Sequence, residues 1–141
     1  MKREILFKGK RVDNGEWIEG LYFKTSFSTT KHTGLVPCIQ VIDGIEYKSF
    51  EIIPGSLCQF TGKSIPTGHP VFDDRVKLFE NDVFTTGDKI KFVVKFDDFE
   101  WVGISDTGDD YGPYTCRLSN TREKINIIGN IIETPGLMNK K

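Results

Sequence analysis

The stretch "LFENDVFTTGDKIKFVVKF", residues 78–96, carries one of the clearest alternating patterns in the chain. Near its end apolar residues occupy every second position, with lysine or valine between them. The alternating sets are Ile90, Phe92, Val94 and Phe96 against Lys89, Lys91, Val93 and Lys95. Alternation with a period of two predicts a strand with one apolar face and one mostly basic face. We expect the apolar set to line the interior of a small sheet.

A polar triplet, Glu80-Asn81-Asp82, stands at the start of this strand-like region. One interpretation of the triplet is a catalytic or binding site. The other is a turn at the entrance to a β-barrel, in which the Asp82 carboxylate accepts hydrogen bonds from backbone N–H groups and holds the corner. We favour the structural interpretation.

Composition and length limit the class of protein. The 141 residues suit one domain, or a compact domain with a smaller appendage. Fourteen glycines, eleven phenylalanines and frequent β-branched residues favour strands. A net charge of −1 gives no global attraction to nucleic acid or to an anionic membrane.

The N-terminal segment "MKREILFKGK" lacks the apolar core of a secretory signal, and no run approaches the roughly 20 apolar residues of a spanning helix. The sequence therefore predicts a cytoplasmic protein without a membrane partner. Three widely spaced cysteines, Cys38, Cys58 and Cys116, fit buried reduced thiols, with a reactive thiol or metal ligand as the alternative. His32 and His69 lie in polar or proline-flanked segments and form no recognisable catalytic motif.

The N-terminal part is expected to consist of hairpins. Residues 4–8 and 15–23 read as strands joined at Asp13-Asn14-Gly15, and residues 24–34 as a polar loop. Two further runs meet at Asp43-Gly44, which we expect to form a type I′ turn with positive φ at both residues. We assign residues 1–62 to a β-rich N-terminal region and 63–79, with Pro66 and Pro70, to a linker.

The C-terminal region, residues 80–141, is expected to form five short strands of a small barrel or a strongly bent sheet. Asp97-Asp98 is expected to be a turn, and "SDTGDDYGP" (residues 105–113) a long polar loop. The last strand, "INIIGNIIE" (residues 125–133), has isoleucine on both faces, which indicates a central strand covered on both sides. Gly129 inside it predicts a bulge or a close backbone approach.

Four blocks of the sequence resemble, in order, those of the YopX family of phage and prophage proteins. They are "MKREILFKGKRVDNGEWIEGLYF" (1–23), "EIIPGSLCQFTG" (51–62), "VFDDRVKLFENDVF" (71–84) and "INIIGNIIETPGLM" (125–138). The chain departs from the family pattern in "KSIPTGHPVFDDRVKL" (63–78) and at Cys58. The resemblance implies a mainly β fold, with a C-terminal SH3-like barrel after a β-rich region, and a phage or prophage origin. It implies no activity.

Acidic residues gather in the second half of the chain, at Asp97, Asp98, Glu100, Asp106, Asp109 and Asp110. Their spacing does not match a calcium loop of the EF-hand type, and the sequence indicates no cleft in which paired carboxylates would work. We interpret them as a solvated hairpin tip, with an enzymatic site as the alternative. No cofactor or metal is predicted.

Basic residues provide the alternative function. The candidate nucleic-acid-binding residues are Lys8, Lys10, Arg11, Lys89, Lys91 and Lys95. Lysines on a strand can neutralise phosphates, and Trp17, Tyr111 or Tyr114 could stack on bases if exposed. Alternating lysines also protect ordinary sheet edges. The favoured expectation is therefore a non-enzymatic module that binds a protein partner or itself, and the alternative is a nucleic-acid-associated phage factor.

Overall fold

The computed structural model describes residues 5–26, 35–66, 75–86, 90–109, 112–118 and 125–138, with only the backbone of residues 43, 107–109 and 112. The fold is mainly β, as predicted, and these ranges contain no α-helix. A short 3-10 helix, Pro135–Met138, follows the last strand. The strands are β1 Phe7–Lys10, β2 Trp17–Thr25, β3 Val36–Asp43, β4 Glu46–Glu51, β5 Cys58–Pro66, β6 Arg75–Phe79, β7 Asp82–Thr85, β8 Lys91–Asp97, β9 Glu100–Asp109, β10 Gly112–Arg117 and β11 Asn126–Asn130.

The chain divides into two compact units, Met1–Gly62 and Lys63–Lys141. In the first unit the strands are ordered β4-β3-β2-β1-β5, and the pairs are antiparallel. Strand β5 begins in the first unit and ends in the second, where β6 is its neighbour in the sheet order. The segment 63–79, expected to be a linker, thus contains the end of β5 and the whole of β6.

Hairpin turns of the first unit follow from local sequence. At Asp13-Asn14-Gly15, Gly15 has a φ of 72° and donates its N–H to the Arg11 carbonyl at 2.9 Å. The expected type I′ turn at Asp43-Gly44 is wrong. The residues between β3 and β4 are Gly44 and Ile45, and only Gly44 has a positive φ, 66°. Glycine at the first central position is the requirement of a type II′ turn.

The core of the first unit is built around Cys38, Ile39, Ile52 and Cys58, which are fully buried. Val36 and Phe60 are also buried. Cys38 and Ile39 are consecutive on β3, so both faces of that strand are covered there. Continuous apolar runs are the mark of strands buried on both sides, and this explains why β3 departs from simple alternation.

The second unit contains a sheet of order β10-β9-β8-β7-β11. Strands β7 to β10 form an antiparallel meander, and β11 returns to pair with β7. The register shifts between Ile127 and Gly129, which confirms the bulge predicted at Gly129. The predicted central position of the last strand is wrong, because β11 lies at an edge of the sheet and Ile128 is exposed.

The expected closed barrel is not what the described strands form. Strands β10 and β11 are the two ends of the sheet order, and the five strands make an open antiparallel sheet. The expected polar loop at residues 105–113 is also wrong over its described part, since β9 continues to Asp109 and β10 begins at Gly112. Backbone pairing extends the hairpin through residues whose polarity suggested a loop.

The core of the second unit confirms most of the alternation in residues 90–96. Phe92 and Val94 are buried with Phe84, and the Phe84 and Phe92 rings stack with centroids 5.3 Å apart. The prediction is wrong at Phe96, which is 54% exposed and makes an edge contact with Trp101 at 5.1 Å between centroids. Phe96 lies next to the last residue of β8, where the hairpin extends into solvent.

Close packing around the Phe84 ring makes Gly103 a sensitive position. A Cβ at residue 103 would lie 2.6 Å from Phe84 Cζ and 3.0 Å from Phe92 Cβ. Overpacking of a filled core costs typically about 1–3 kcal/mol. We predict that Gly103→Ala lowers the free energy of unfolding by about 2 kcal/mol, measured by urea denaturation. Thr115→Ala, at an exposed residue of the neighbouring β10, is the control, and equal stability of the two variants would contradict this packing.

Candidate functional site

The polar triplet before β7 forms a buried corner. Asp82 is 4% exposed and accepts two hydrogen bonds of 2.8 Å, from the Phe79 N–H to Oδ2 and from Asn130 Nδ2 to Oδ1. The first bond spans the turn between β6 and β7, and the second reaches the end of β11. The predicted structural role of Asp82 is confirmed.

Asn81 completes the corner with a left-handed backbone, φ 72°. Its N–H donates to the Val94 carbonyl and its own carbonyl accepts from the Ile131 N–H, both at 2.9 Å. Its side-chain oxygen accepts a 2.6 Å bond from Lys95 Nζ. The asparagine therefore connects the turn to β8 and to the segment after β11, and its polar groups serve the fold.

The predicted basic residues of the first unit lie against aromatic rings. Lys8 and Lys10 are directly opposite Glu19 and Trp17 in the β1–β2 pair, and their ammonium nitrogens lie 4.7 Å and 5.8 Å from the Trp17 ring centroid. Cations over an indole face are held by its quadrupole. A base stacking on that face of Trp17 would have to displace both lysines.

Arg11 is engaged on two sides. Its guanidinium forms a fork with the Asp13 carboxylate, with bonds of 2.9 Å and 2.6 Å, and lies 4.0 Å from the centroid of the Phe50 ring. The hydrogen bond from Arg11 holds the pKa of the Asp13 carboxyl below its usual value. This pairing neutralises part of the positive charge of the hairpin.

The basic residues of the second unit are bonded within that unit. Lys91 Nζ donates to the Leu137 carbonyl at 2.9 Å, and Lys95 Nζ donates to Asn81 as described above. Lys89 lies outside the described residues. The predicted set thus falls in two separate units, and the described lysines of β8 contact the C-terminal 3-10 helix and the corner.

The acidic residues do not form a site in the described part of the chain. The β8–β9 turn is at Asp98-Phe99, both with positive φ, rather than at Asp97-Asp98 as expected. Glu100 forms a fork with Arg117, with bonds of 2.8 Å and 3.1 Å, and this pairing raises the pKa of Arg117. Asp106 accepts the Lys91 backbone N–H at 3.2 Å.

Ligands for a metal do not gather among the described residues, in which no group of three or more histidine, cysteine or acidic side chains is found. Asp110, Tyr111, His32 and His69 lie outside those residues, as does the side chain of Asp109. Burial, and then the charge of Glu51, raise the pKa of the Cys38 thiol. A thiol with a raised pKa is a poor nucleophile at neutral pH.

Sequence analysis missed an apolar surface on the β3–β4 hairpin and the adjacent strand β2. We call it the hairpin patch, and it consists of Leu21, Ile42, Ile45 and Tyr47. Ile45, at the turn, is 97% exposed, and the facing pair Ile42 and Tyr47 are 59% and 67% exposed. Leu21 is opposite Gln40, two residues before Ile42 on β3, so Leu21, Ile42 and Tyr47 share one face.

The hairpin patch reaches an edge of the sheet. Strand β4 ends the strand order, and its first four residues are exposed. The available sequence signal was the run "CIQVIDGIEY", in which apolar residues occupy adjacent positions and cannot all face one core. Which of them face solvent depends on the strands that cover the sheet.

Comparison with known proteins identifies the family. The family model described as YopX protein matches residues 6–139. The chain belongs to the YopX family. No curated protein and no solved structure matches it.

The YopX match spans both units, so the hairpin patch and the buried corner both lie within the family region. No helix in the described ranges of this YopX family member has the length and apolar character needed to cross a membrane. A pocket of about 290 Å³ lies in the second unit, lined in part by Ile65, Val76 and Ile125. This volume is at the lower limit of typical ligand sites.

The hydrogen bonds of the corner in this YopX protein generate a stability prediction. Asp82→Asn leaves one acceptor oxygen for two donors, the Phe79 N–H and the Asn130 amide, and places an amide N–H₂ against the other donor, so one buried donor loses its acceptor. Such a loss costs about 1–3 kcal/mol. We expect Asp82→Asn to lower the free energy of unfolding by about 2 kcal/mol, measured by chemical denaturation.

The matched control exchanges the two groups. In Asp82→Asn/Asn130→Asp the carboxylate stands at 130, where it can accept from the Ile132 N–H that Asn130 Oδ1 now binds at 2.9 Å. We expect this double variant to recover part of the lost stability. A double variant no more stable than the sum of its two single changes would contradict the direct Asp82–Asn130 bond.

Proposed function

We propose that this YopX family member is a non-enzymatic binding or assembly module of phage or prophage origin, acting in the cytoplasm of a bacterial host. The observation that carries the proposal is the hairpin patch at the β4 edge. Exposed apolar side chains gain about 25 cal/mol for each Å² that a partner covers. An edge strand also offers unpaired backbone groups to an added strand.

The described polar groups support a binding role over catalysis. Asp82 and Asn81 are bonded within the corner, and Glu100 is paired with Arg117. A general acid or base must have a proton-transfer atom that can reach a substrate. In the corner those atoms are turned towards backbone amides and neighbouring side chains.

We further propose that the second unit is an SH3-like barrel of partly open form. This proposal is supported by the pairing of β11 with β7, the first strand of the β7–β10 meander. Leu118, just after β10, and Ile125, just before β11, belong to the same buried cluster as Phe84. Residues next to opposite edges can share one core when the sheet curls.

A second candidate function is nucleic-acid association through the basic hairpin. It is supported by Lys8 and Lys10, on one short strand, and by Arg11, which follows it. The contacts of both lysines with Trp17 reduce the case for base stacking, so the remaining attraction would be to phosphate. Lys89, Lys91 and Lys95 stay in this candidate as residues of the second unit.

The binding role is tested by affinity capture from phage-infected cells, with and without nuclease. We expect the amount of captured protein to be the same with and without nuclease. We expect it to fall about tenfold in the variant Ile42→Thr/Tyr47→Thr, because anchor residues of an interface commonly contribute about 1–2 kcal/mol or more. Val76→Thr, an exposed apolar residue of the second unit, is the control. Capture that is unchanged in the patch variant would contradict the proposal.

The nucleic-acid candidate is tested by fluorescence titration of short single-stranded DNA and RNA at low salt. Phosphate contacts make the logarithm of the binding constant fall with the logarithm of salt, with a slope of about −0.7 for each contact. If this candidate is right, the double variant Lys8→Ala/Lys10→Ala makes the slope of log binding constant against log salt less negative by about one unit or more. The control Lys48→Ala leaves that slope unchanged. Wild-type protein without salt-sensitive binding would remove the candidate.

A further inference from the structure

We propose that the partner covering the β4 edge is a second copy of this chain, paired antiparallel with β4 and centred on Tyr47. This inference rests on the proposed function, because it names the occupant of the same edge and patch. Three features of β4 support it: the direction of its backbone groups, the order of its charges and the continuity of its apolar face.

The backbone groups that point away from β3 can be identified from two hydrogen bonds. The Ile52 N–H donates to the Pro37 carbonyl, on the β3 side, at 3.0 Å. The Glu51 carbonyl accepts from the Val12 N–H, on the other side, at 3.0 Å. N–H and C=O groups alternate sides along a strand, so those of Tyr47 and Ser49 point to the edge.

This alternation determines how a second strand can add. In an antiparallel pair centred on Tyr47, the two Tyr47 residues exchange both backbone bonds, and the Ser49 N–H donates to the carbonyl of the second copy's turn residue Ile45. Glu46 and Lys48 then fall at the positions on either side of the bonded Tyr47 pair. At those positions the side chains of facing residues are closest, with Cα atoms about 4.5 Å apart.

The charges of β4 match this register. Glu46 and Lys48 flank Tyr47, so each glutamate faces the lysine of the other copy, and the contact occurs twice. Opposite charges that face each other across strands are stabilising, and like charges destabilising. A strand that is complementary to itself favours a second copy over an unrelated peptide.

The apolar face is continuous across the same pair. Tyr47 lies on the face that also carries Ile42 and Leu21. The same three residues of the second copy would lie on this face, on the other side of the β4–β4 pair. The two tyrosine rings would meet at the centre of this stripe. About five residue pairs form the contact, so the dimer belongs to the small, concentration-dependent class of interfaces.

The experiment is sedimentation equilibrium of the full chain at several concentrations. We expect wild-type protein to dimerise, and Glu46→Lys and Lys48→Glu each to weaken the dimer about tenfold or more, because both facing pairs become like-charged. An equal mixture of the two variants should form a heterodimer near wild-type affinity, since every facing pair is again opposite in charge. The double variant Glu46→Lys/Lys48→Glu should dimerise as well.

A backbone variant tests the strand pairing separately from charge. Ser49→Pro removes an N–H that points to the edge and leaves the bonds to β3, so the chain should fold and remain monomeric. Near-ultraviolet circular dichroism checks the fold of each variant. A well-folded Ser49→Pro that still dimerises, or a mixture of charge variants that stays monomeric, would overturn the inference.

The outcomes separate this inference from the proposed function. A wild-type chain that is monomeric at every concentration, with affinity capture still dependent on Ile42 and Tyr47, overturns the dimer and leaves the binding module. Capture that does not depend on the patch overturns the proposed role in binding other proteins, whatever mass the chain has.

Discussion

The carboxylate of Asp82 is the constraint on which the second unit depends. It lies in a nearly dry environment and joins the turn after β6 to the end of β11, residues 48 positions apart in sequence. A buried charge is costly unless hydrogen bonds compensate it. The bond from the Phe79 N–H is local to the turn between β6 and β7. The bond from Asn130 forms only when β11 lies beside β7, and an alternative register would leave the carboxylate without it.

Around this corner, the sheet of the second unit is filled by closely packed rings. Phe84 and Phe92 stack on the inner face, and Gly103 leaves room for the Phe84 ring. Lys95 and Lys91, which the alternating pattern assigned to a basic outer face, are bonded to Asn81 and to the Leu137 carbonyl. Lysines that hold neighbouring segments together are less suited to contact phosphates.

The first unit has a different arrangement at its edge. Strand β4 pairs with β3 on one side and is the last strand in the order, and its first four residues are exposed. Natural sheets commonly protect such an edge with charged side chains. Here Glu46 and Lys48 lie on either side of Tyr47, and Glu46 follows the exposed Ile45. This order of charges is the basis of the proposed pairing with a second copy.

Local patterns predicted the elements whose signals are short-range. The alternation from Ile90 to Val94, the turn ending at Gly15 and the bulge at Gly129 were all readable, because backbone geometry and side-chain direction depend on adjacent residues. The type of the Gly44 turn could not be predicted, because Asp43 and Gly44 can be the two central residues of a turn, or Gly44 can be the first central residue with Asp43 before it. The corner role of Asp82 was predicted from turn chemistry, although its bond to Asn130 was not.

Sequence by itself determined that this chain is a mainly β protein of the YopX family, since alternation and ordered motifs are properties of the residues alone. Tertiary structure decided which strands became edges. The isoleucines of β11 predict a central strand, yet β11 lies at an edge. Phe96 continues the apolar alternation, yet it is exposed to solvent. β4 is the edge strand that carries part of the hairpin patch. Strand order depends on contacts between distant residues, so no local pattern could assign the exposed edge on which the proposed function rests.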